Sequence, residues 1–232
     1  MLLSSRKLSS YHELNNIDID LRVGNTSLER VSSAKLLGTE IDHNLKWEEN
    51  VKQISASCYR TLGILKKLRN FSLPFHIRKQ LVQALVLSKL YYNYVVYHNL
   101  PHYLVKRQQR IQTAYASFVV GKFVKSKDII KLIWLPVKEH IEWQLLKLVH
   151  KAIFSHEWPG YLRLKQFKHN RTLRSSAAMQ LEILLVSHIY QDQAAKSFDI
   201  LPGCVRNCID FNQFSKMTFK FLMNKVKDNL SA

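Results

Sequence analysis

Between Glu49 and Asp128 the chain carries no carboxylate, while 14 lysines and arginines fall in the same interval. No other feature limits the possible folds as strongly. A helix surface normally mixes signs, because opposite charges four residues apart support it by about 0.2–0.5 kcal/mol per pair. Apart from those at the two ends of the interval, these cations have no such neighbours in sequence, which leaves them to face water or an external anion. The whole chain, 232 residues long, holds 35 Lys+Arg against 17 Asp+Glu, a formal net charge of +18. The excess is uneven: residues 1–50 hold six basic and eight acidic residues, and residues 51–100 hold eight basic and none acidic. A polyanion complements such a surface, with nucleic acid ahead of an acidic membrane. Chance drift of a basic surface is the competing reading.

The remaining composition is ordinary, with 47% hydrophobic and 22% charged residues, which excludes disorder along the whole length. Three cysteines make no disulfide framework, and the Met1-Leu-Leu-Ser-Ser start is too short for a signal peptide. The best membrane candidate, Leu81 to Tyr97, is broken by Gln83, Lys89 and Asn93 and reads as a buried helix. No membrane partner is therefore expected, and an intracellular place, cytoplasmic or nuclear, is. In that setting the sequons at Asn25, Asn170 and Asn229 carry no meaning.

Periodicity predicts a mainly α chain with a small N-terminal antiparallel β element. Ile17, Ile19, Leu21 and Val23 alternate with Asp18, Asp20 and Arg22, a half-buried strand. Gly24-Asn25 supplies a turn, with Leu28 to Val31 returning as the partner strand. A further strand, Ala34 to Ile41, leads through Asp42-His43-Asn44 into a helix. There Trp47, Val51, Ile54, Cys58, Leu62 and Leu65 recur every three or four residues on one stripe. Lys52, Tyr59, Arg60 and Lys67 lie on another side with Ala56 and Gly63, small residues that let a phosphate backbone come close. An ordinary amphipathic helix is the alternative.

A second helix is predicted from Pro74 to about Tyr97. Its Tyr91, Tyr92, Tyr94 and Tyr97 can stack on bases, or pack in the core with the hydroxyl at its edge. Pro101 opens a third, carrying Lys106, Arg107 and Arg110 and ended by Gly121. Lys127 to Leu135 reads as a short helix stopped by Pro136, and Val137 to Phe154 as a long one around Ile141, Leu145, Leu148 and Ala152. Residues 161–178 read as a loop or linker. Gln191 to Ile200 and Phe211 to Lys227 close the chain on either side of Leu201-Pro202-Gly203.

No catalyst emerges. The six glycines form neither a phosphate-binding loop nor a dinucleotide fingerprint. Asp18 and Asp20 can in principle hold Mg²⁺, but their alternation with isoleucines fits a solvated strand face. Cys204 and Cys208 lack a second pair of ligands for zinc. No metal site and no catalytic residue are assigned.

The block Leu36-Leu37-Gly38-Thr39-Glu40-Ile41-Asp42-His43-Asn44-Leu45-Lys46-Trp47 resembles one that, in LINE-type, jockey-like non-long-terminal-repeat retrotransposon reverse transcriptases, follows the palm and leads into the thumb. Ser57 to Leu65 resembles the first thumb helix there, and Arg78 to Tyr97 the next. Phe198-Asp199-Ile200-Leu201-Pro202, followed by Val205-Arg206-Asn207 and Phe211-x-x-Phe214, is similar to the block that closes such reading frames, although Phe198-Asp199 replaces the usual Trp-Asn. The resemblance covers nearly the whole chain. It implies a thumb-plus-tail remnant, begun at an internal Met, without the aspartates that position Mg²⁺ in the intact RNA-directed DNA polymerase. It therefore implies no cofactor and no polymerase activity for this chain alone.

The expected layout is a palm-remnant β element at 1–46, a basic thumb-like helical bundle at 47–155, a linker at 156–190 and a C-terminal helical tail at 191–232. Thumb helices clamp a primer–template duplex by its backbone, which takes cations and close approach. The expected partner is RNA or an RNA–DNA hybrid, held by Lys52, Tyr59, Arg60, Lys66, Lys67, Lys106, Arg107 and Arg110. No small-molecule substrate is evident. Two alternatives stand beside this one: a helical module recruited by the host to bind proteins, and an inert product whose apolar surface once faced the missing palm.

Overall fold

A computed structural model describes residues 22–27, 31–68, 73–96, 99–155, 159, 164, 179–181 and 189–231. The expectations for Ile17 to Leu21, for Tyr97 and for nearly all of the 156–190 linker lie outside these residues. The described chain is mainly helical with two small antiparallel hairpins near its start. It divides into two compact units, residues 1–93 with 99–111 and residues 94–98 with 112–232. The division does not follow the sequence-based layout, since it separates the 47–155 segment into both units.

In the first unit, β1 (Arg22–Val23) pairs with β2 (Thr26–Ser27) across the Gly24-Asn25 turn. Thr26 and Ser27 form the return side, and most of the expected partner strand, Leu28 to Arg30, lies outside the described residues. Where one strand from Ala34 to Ile41 was expected, β3 (Ser33–Leu36) and β4 (Thr39–Asp42) form a hairpin. Its two-residue turn places Leu37 at φ 46° and Gly38 at φ 80°. Positive φ at both central positions matches the right-handed twist of the flanking strands, and glycine takes it without steric cost. Leucine at the first of them hides the turn from sequence.

Asp42 then organises the path into the first long helix. Its Oδ2 accepts the Lys46 N–H at 3.0 Å and its Oδ1 the Trp47 N–H at 3.1 Å. Two backbone donors that the helix start leaves without partners are satisfied by one carboxylate. The Asn50 side chain reaches back to accept the Glu40 N–H at 3.2 Å, fastening β4 to the same helix. The conspicuous residues of the 36–47 block thus have structural work: the turn at Leu37-Gly38 and the clasp at Asp42.

Helix α1 (Glu48–Leu68) follows, then α2 (Phe75–Val82), a π-helical segment (Gln83–Leu87) and α3 (Ser88–Leu90). Val51, Cys58, Leu62 and Leu65 of α1 are buried, as are Val82, Val86, Leu87 and Leu90. The second helix ends near Leu90, not Tyr97, because the chain turns at Asn93, φ 55°, whose Nδ2 donates to Thr39 Oγ1 at 2.7 Å. The neighbouring Tyr92 hydroxyl donates to the Leu37 carbonyl at 2.8 Å and its ring lies against Gly38. Tyr92 therefore braces the hairpin turn, and Tyr94 is buried.

Helix α4 (His102–Val120) contributes its first ten residues to this unit and the rest to the second. Gly121, at φ 81°, ends it as expected. The second unit continues with a 3₁₀ turn (Ser126–Leu132), α5 (Val137–Phe154), α6 (Ile189–Asp199), α7 (Gly203–Arg206) and α8 (Phe211–Ser231). Its core gathers Leu135, Leu145, Leu146, Val149, Phe198 and Phe214 where α6 and α8 pack on α5. The closing block acts as a clasp. Asp199 Oδ1 accepts the Leu181 N–H at 3.3 Å, Asn207 Oδ1 the Met179 N–H at 3.0 Å, and Arg206 Nη1 donates to the Met179 carbonyl at 2.8 Å.

Candidate nucleic-acid interface

The buried stripe of α1 fixes which of its residues meet water. With Val51, Cys58, Leu62 and Leu65 inside, Lys52, Tyr59, Arg60, Lys66 and Lys67 all come out exposed on the other side. Burial pushes the Cys58 thiol up to about 11, which marks how dry the inner face is. Ala56 and Gly63 are exposed among the cations, and a Cβ at Gly63 would meet nothing within 4 Å. The outer face of α1 is open to the close approach of a large ligand.

The same logic applies to the first half of α4. Leu104, Gln108 and Ile111 are buried, so Lys106, Arg107 and Arg110 point outward. Among the described residues, Arg60, Lys66, Lys67, Lys106, Arg107 and Arg110 have no carboxylate partner. Lys52 differs, with its Nζ 3.2 Å from Glu49 Oε2. Exposed pairs of this kind contribute about 0–1 kcal/mol, so Lys52 is only loosely engaged.

One residue of this surface escaped sequence reading. Tyr103 sits three, four and seven residues before Lys106, Arg107 and Arg110, on their face of α4, and donates its hydroxyl to Glu48 Oε1 at the start of α1. That hydrogen bond holds the phenol pKa above its usual value, with desolvation and the Glu48 charge adding to it. The phase of Tyr103 was readable in sequence. Its partner, 55 residues away, was not.

Among the described residues, carboxylates suited to hold a divalent ion do not gather in this unit. Asp42 is committed to two backbone N–H groups, Glu48 to Tyr103 and Glu49 to Lys52. Among the described residues no three of His, Cys, Asp or Glu come together as a metal site, and Asp18 and Asp20 lie outside those residues. The described residues of α1 and α4 gather cations instead. What they offer is positive charge at low relief, a surface for phosphate oxygens. No described helix is long and apolar enough to cross a membrane.

Comparison with protein-family models matches none of them, and comparisons with curated proteins and with solved structures likewise return no match.

Proposed function

We propose that the first unit binds nucleic acid by its backbone, without reading sequence. We also propose that the chain derives from the thumb and tail of a LINE-type reverse transcriptase without its catalytic aspartates. The observation that carries the binding is the set of six exposed cations, Arg60, Lys66, Lys67, Lys106, Arg107 and Arg110, with no carboxylate partner among the described residues. The order of the quoted sequence blocks supports the origin. The proposed ligand is RNA or an RNA–DNA hybrid, and no cofactor is required to hold it.

Six phosphate contacts would release counterions steeply enough to cost about 10³-fold in affinity between ~50 and ~200 mM salt. Titration of a blunt RNA–DNA hybrid at those salt concentrations tests this, with Arg60/Lys66/Lys67→Ala alongside. Removing three contacts is expected to cut the salt effect to roughly 40-fold. Weak binding indifferent to both salt and substitution would contradict the reading. It would favour a protein-binding module, for which the exposed Leu36 and Leu37 at the hairpin tip are the supporting observation. A chain without a cooperative melt would favour an inert product.

A further inference from the structure

The arrangement of Tyr103 and Tyr59 deepens this reading and rests on it. At 100° per residue, Glu48, Lys52, Tyr59 and Lys66 of α1 fall within an arc of about 40°. They follow one another along ~27 Å of the helix at 1.5 Å per residue. Tyr103 is bonded to Glu48 at the start of that line. Read along α1, the exposed surface therefore runs aromatic, cation, aromatic, cation: Tyr103, Lys52, Tyr59, Lys66. The two rings are 55% and 48% exposed, so neither is spent on the core. Lys106, Arg107 and Arg110 flank Tyr103 on its own helix.

A duplex gives an aromatic ring nothing to stack on except at its ends, because its bases already stack on each other. An unpaired strand offers both a π-face and a phosphate at each nucleotide, and aromatic side chains interleaved with cations serve both. The hydrogen bond to Glu48 restricts the Tyr103 side chain, so less freedom is lost when a base arrives. The rings are separated by roughly 16 Å along the helix. That is several times the ~3.4 Å stacking rise, so they would take two bases some nucleotides apart.

We propose that Tyr103 and Tyr59 are stacking platforms for unpaired bases, and that the preferred ligand of the first unit is a single strand. The test compares a single-stranded RNA with an abasic strand of equal length, which keeps the phosphates and lacks the rings. Wild-type protein is expected to bind the base-bearing strand more tightly. Tyr103→Ala should weaken that binding by about 5- to 150-fold, the worth of one stack, and leave abasic binding unchanged. Tyr103→Phe, which keeps the ring, should retain most of it, and Tyr59→Ala should repeat the alanine result.

Equal loss on both strands would make Tyr103 a mere tether between α4 and α1 and overturn the proposal. So would no loss on either strand, or wild-type binding that ignores the bases. Salt-dependent binding of the abasic strand reports the cations separately. If the bases fail to matter while that binding persists, the stacking is refuted and backbone binding stands; if that binding is also lacking, both are refuted.

Discussion

The two units carry the same sign of charge and use it differently. In the first, the cations of α1 and α4 stand exposed, and among the described residues only Lys52 of the eight sequence-nominated positions has a carboxylate beside it. In the second, many cations are bound into the structure. Lys225 lies 3.6 Å from Glu142 and Arg206 spans Asp199 and the Met179 carbonyl, while Lys131, 2.7 Å from Asp128, is in an exposed pair like that of Lys52. Lys147 sits 3.9 Å over the Trp143 ring and Lys151 5.0 Å over Phe211. Net charge alone would rank both units as candidate binders. A positive group already satisfied internally gains little from a phosphate, whereas an unsatisfied one gains a charge-assisted contact. Exposed lysines such as Lys122, Lys125 and Lys138 belong to the second unit as well, so the contrast rests on these partnered cations and not on every cation.

The units also differ in what holds them. The first is fastened by directed polar contacts around Asp42, Asn50, Tyr92 and Asn93. The second adds aromatic packing to the polar clasp around Asp199, Arg206 and Asn207. Tyr94, His140, Trp143 and Phe219 meet edge to face in series at centroid distances of 5.3–6.3 Å. His150 is enclosed by Phe154, Phe211 and Phe214 and shares a 2.9 Å hydrogen bond with the Cys208 carbonyl.

Breaking the second unit should have the largest effect. Phe214→Ala empties a fully buried site against Phe198 and His150 and is expected to cost about 3–5 kcal/mol. Chemical denaturation checks it, and a loss under 1 kcal/mol would deny that this aromatic packing holds the unit.

Acid should act on the same unit. Burial holds His140 down to about 3 and also lowers His150, against an ordinary 6.5. Because the folded-state values are depressed, the stability they contribute is present above pH 6.5 and is lost as pH falls from there toward 3. For His140 the loss is up to about 1.4 kcal/mol per pH unit in that window, and His150 acts in the same direction. Glu139 and Asp199, raised by burial, offset part of the loss nearer the carboxylate range. Melting between pH 7 and pH 5.5, followed by near-ultraviolet circular dichroism, should show the decline. His140→Gln should flatten it.

The polar clasps of the first unit give smaller effects. Asp42→Ala strands two backbone donors and is expected to cost about 1–2 kcal/mol, within the range measured for helix caps. Asp42→Asn should recover part of that. Smallest of all is Lys52→Ala: since it removes one half of an exposed pair, stability should move by no more than about 0.5 kcal/mol. It should also weaken hybrid binding less than Arg60→Ala, a difference that equilibrium titration resolves.

Much of this contrast was legible in the sequence. Periodicity located α4 and α5 to within a residue, because one apolar stripe with a proline or glycine at an end leaves few alternatives; it also found α1, whose stripe from Trp47 to Leu65 stops three residues short of Leu68. The exposure of the eight nominated residues followed from the same phase. The β3–β4 hairpin did not follow, since its turn depends on Leu37 adopting a left-handed conformation that leucine disfavours. The early end of the second helix depended on Asn93 finding Thr39, and Tyr103 joined the surface through Glu48. The last two are contacts across more than 50 residues, and local pattern carries no information about such partners.

The most direct test of the difference between the units is a matched pair of substitutions titrated against an RNA–DNA hybrid at ~50 and ~200 mM salt. Arg60/Lys66/Lys67→Ala and Lys131/Lys147/Lys225→Ala remove the same charge, the first from α1 and the second from the other unit. The first is expected to weaken binding and roughly halve the slope of log affinity against log salt, while the second leaves both within a few-fold of wild type. Equal effects from the two triples would mean that net charge alone attracts the ligand, and would contradict a binding face on the first unit.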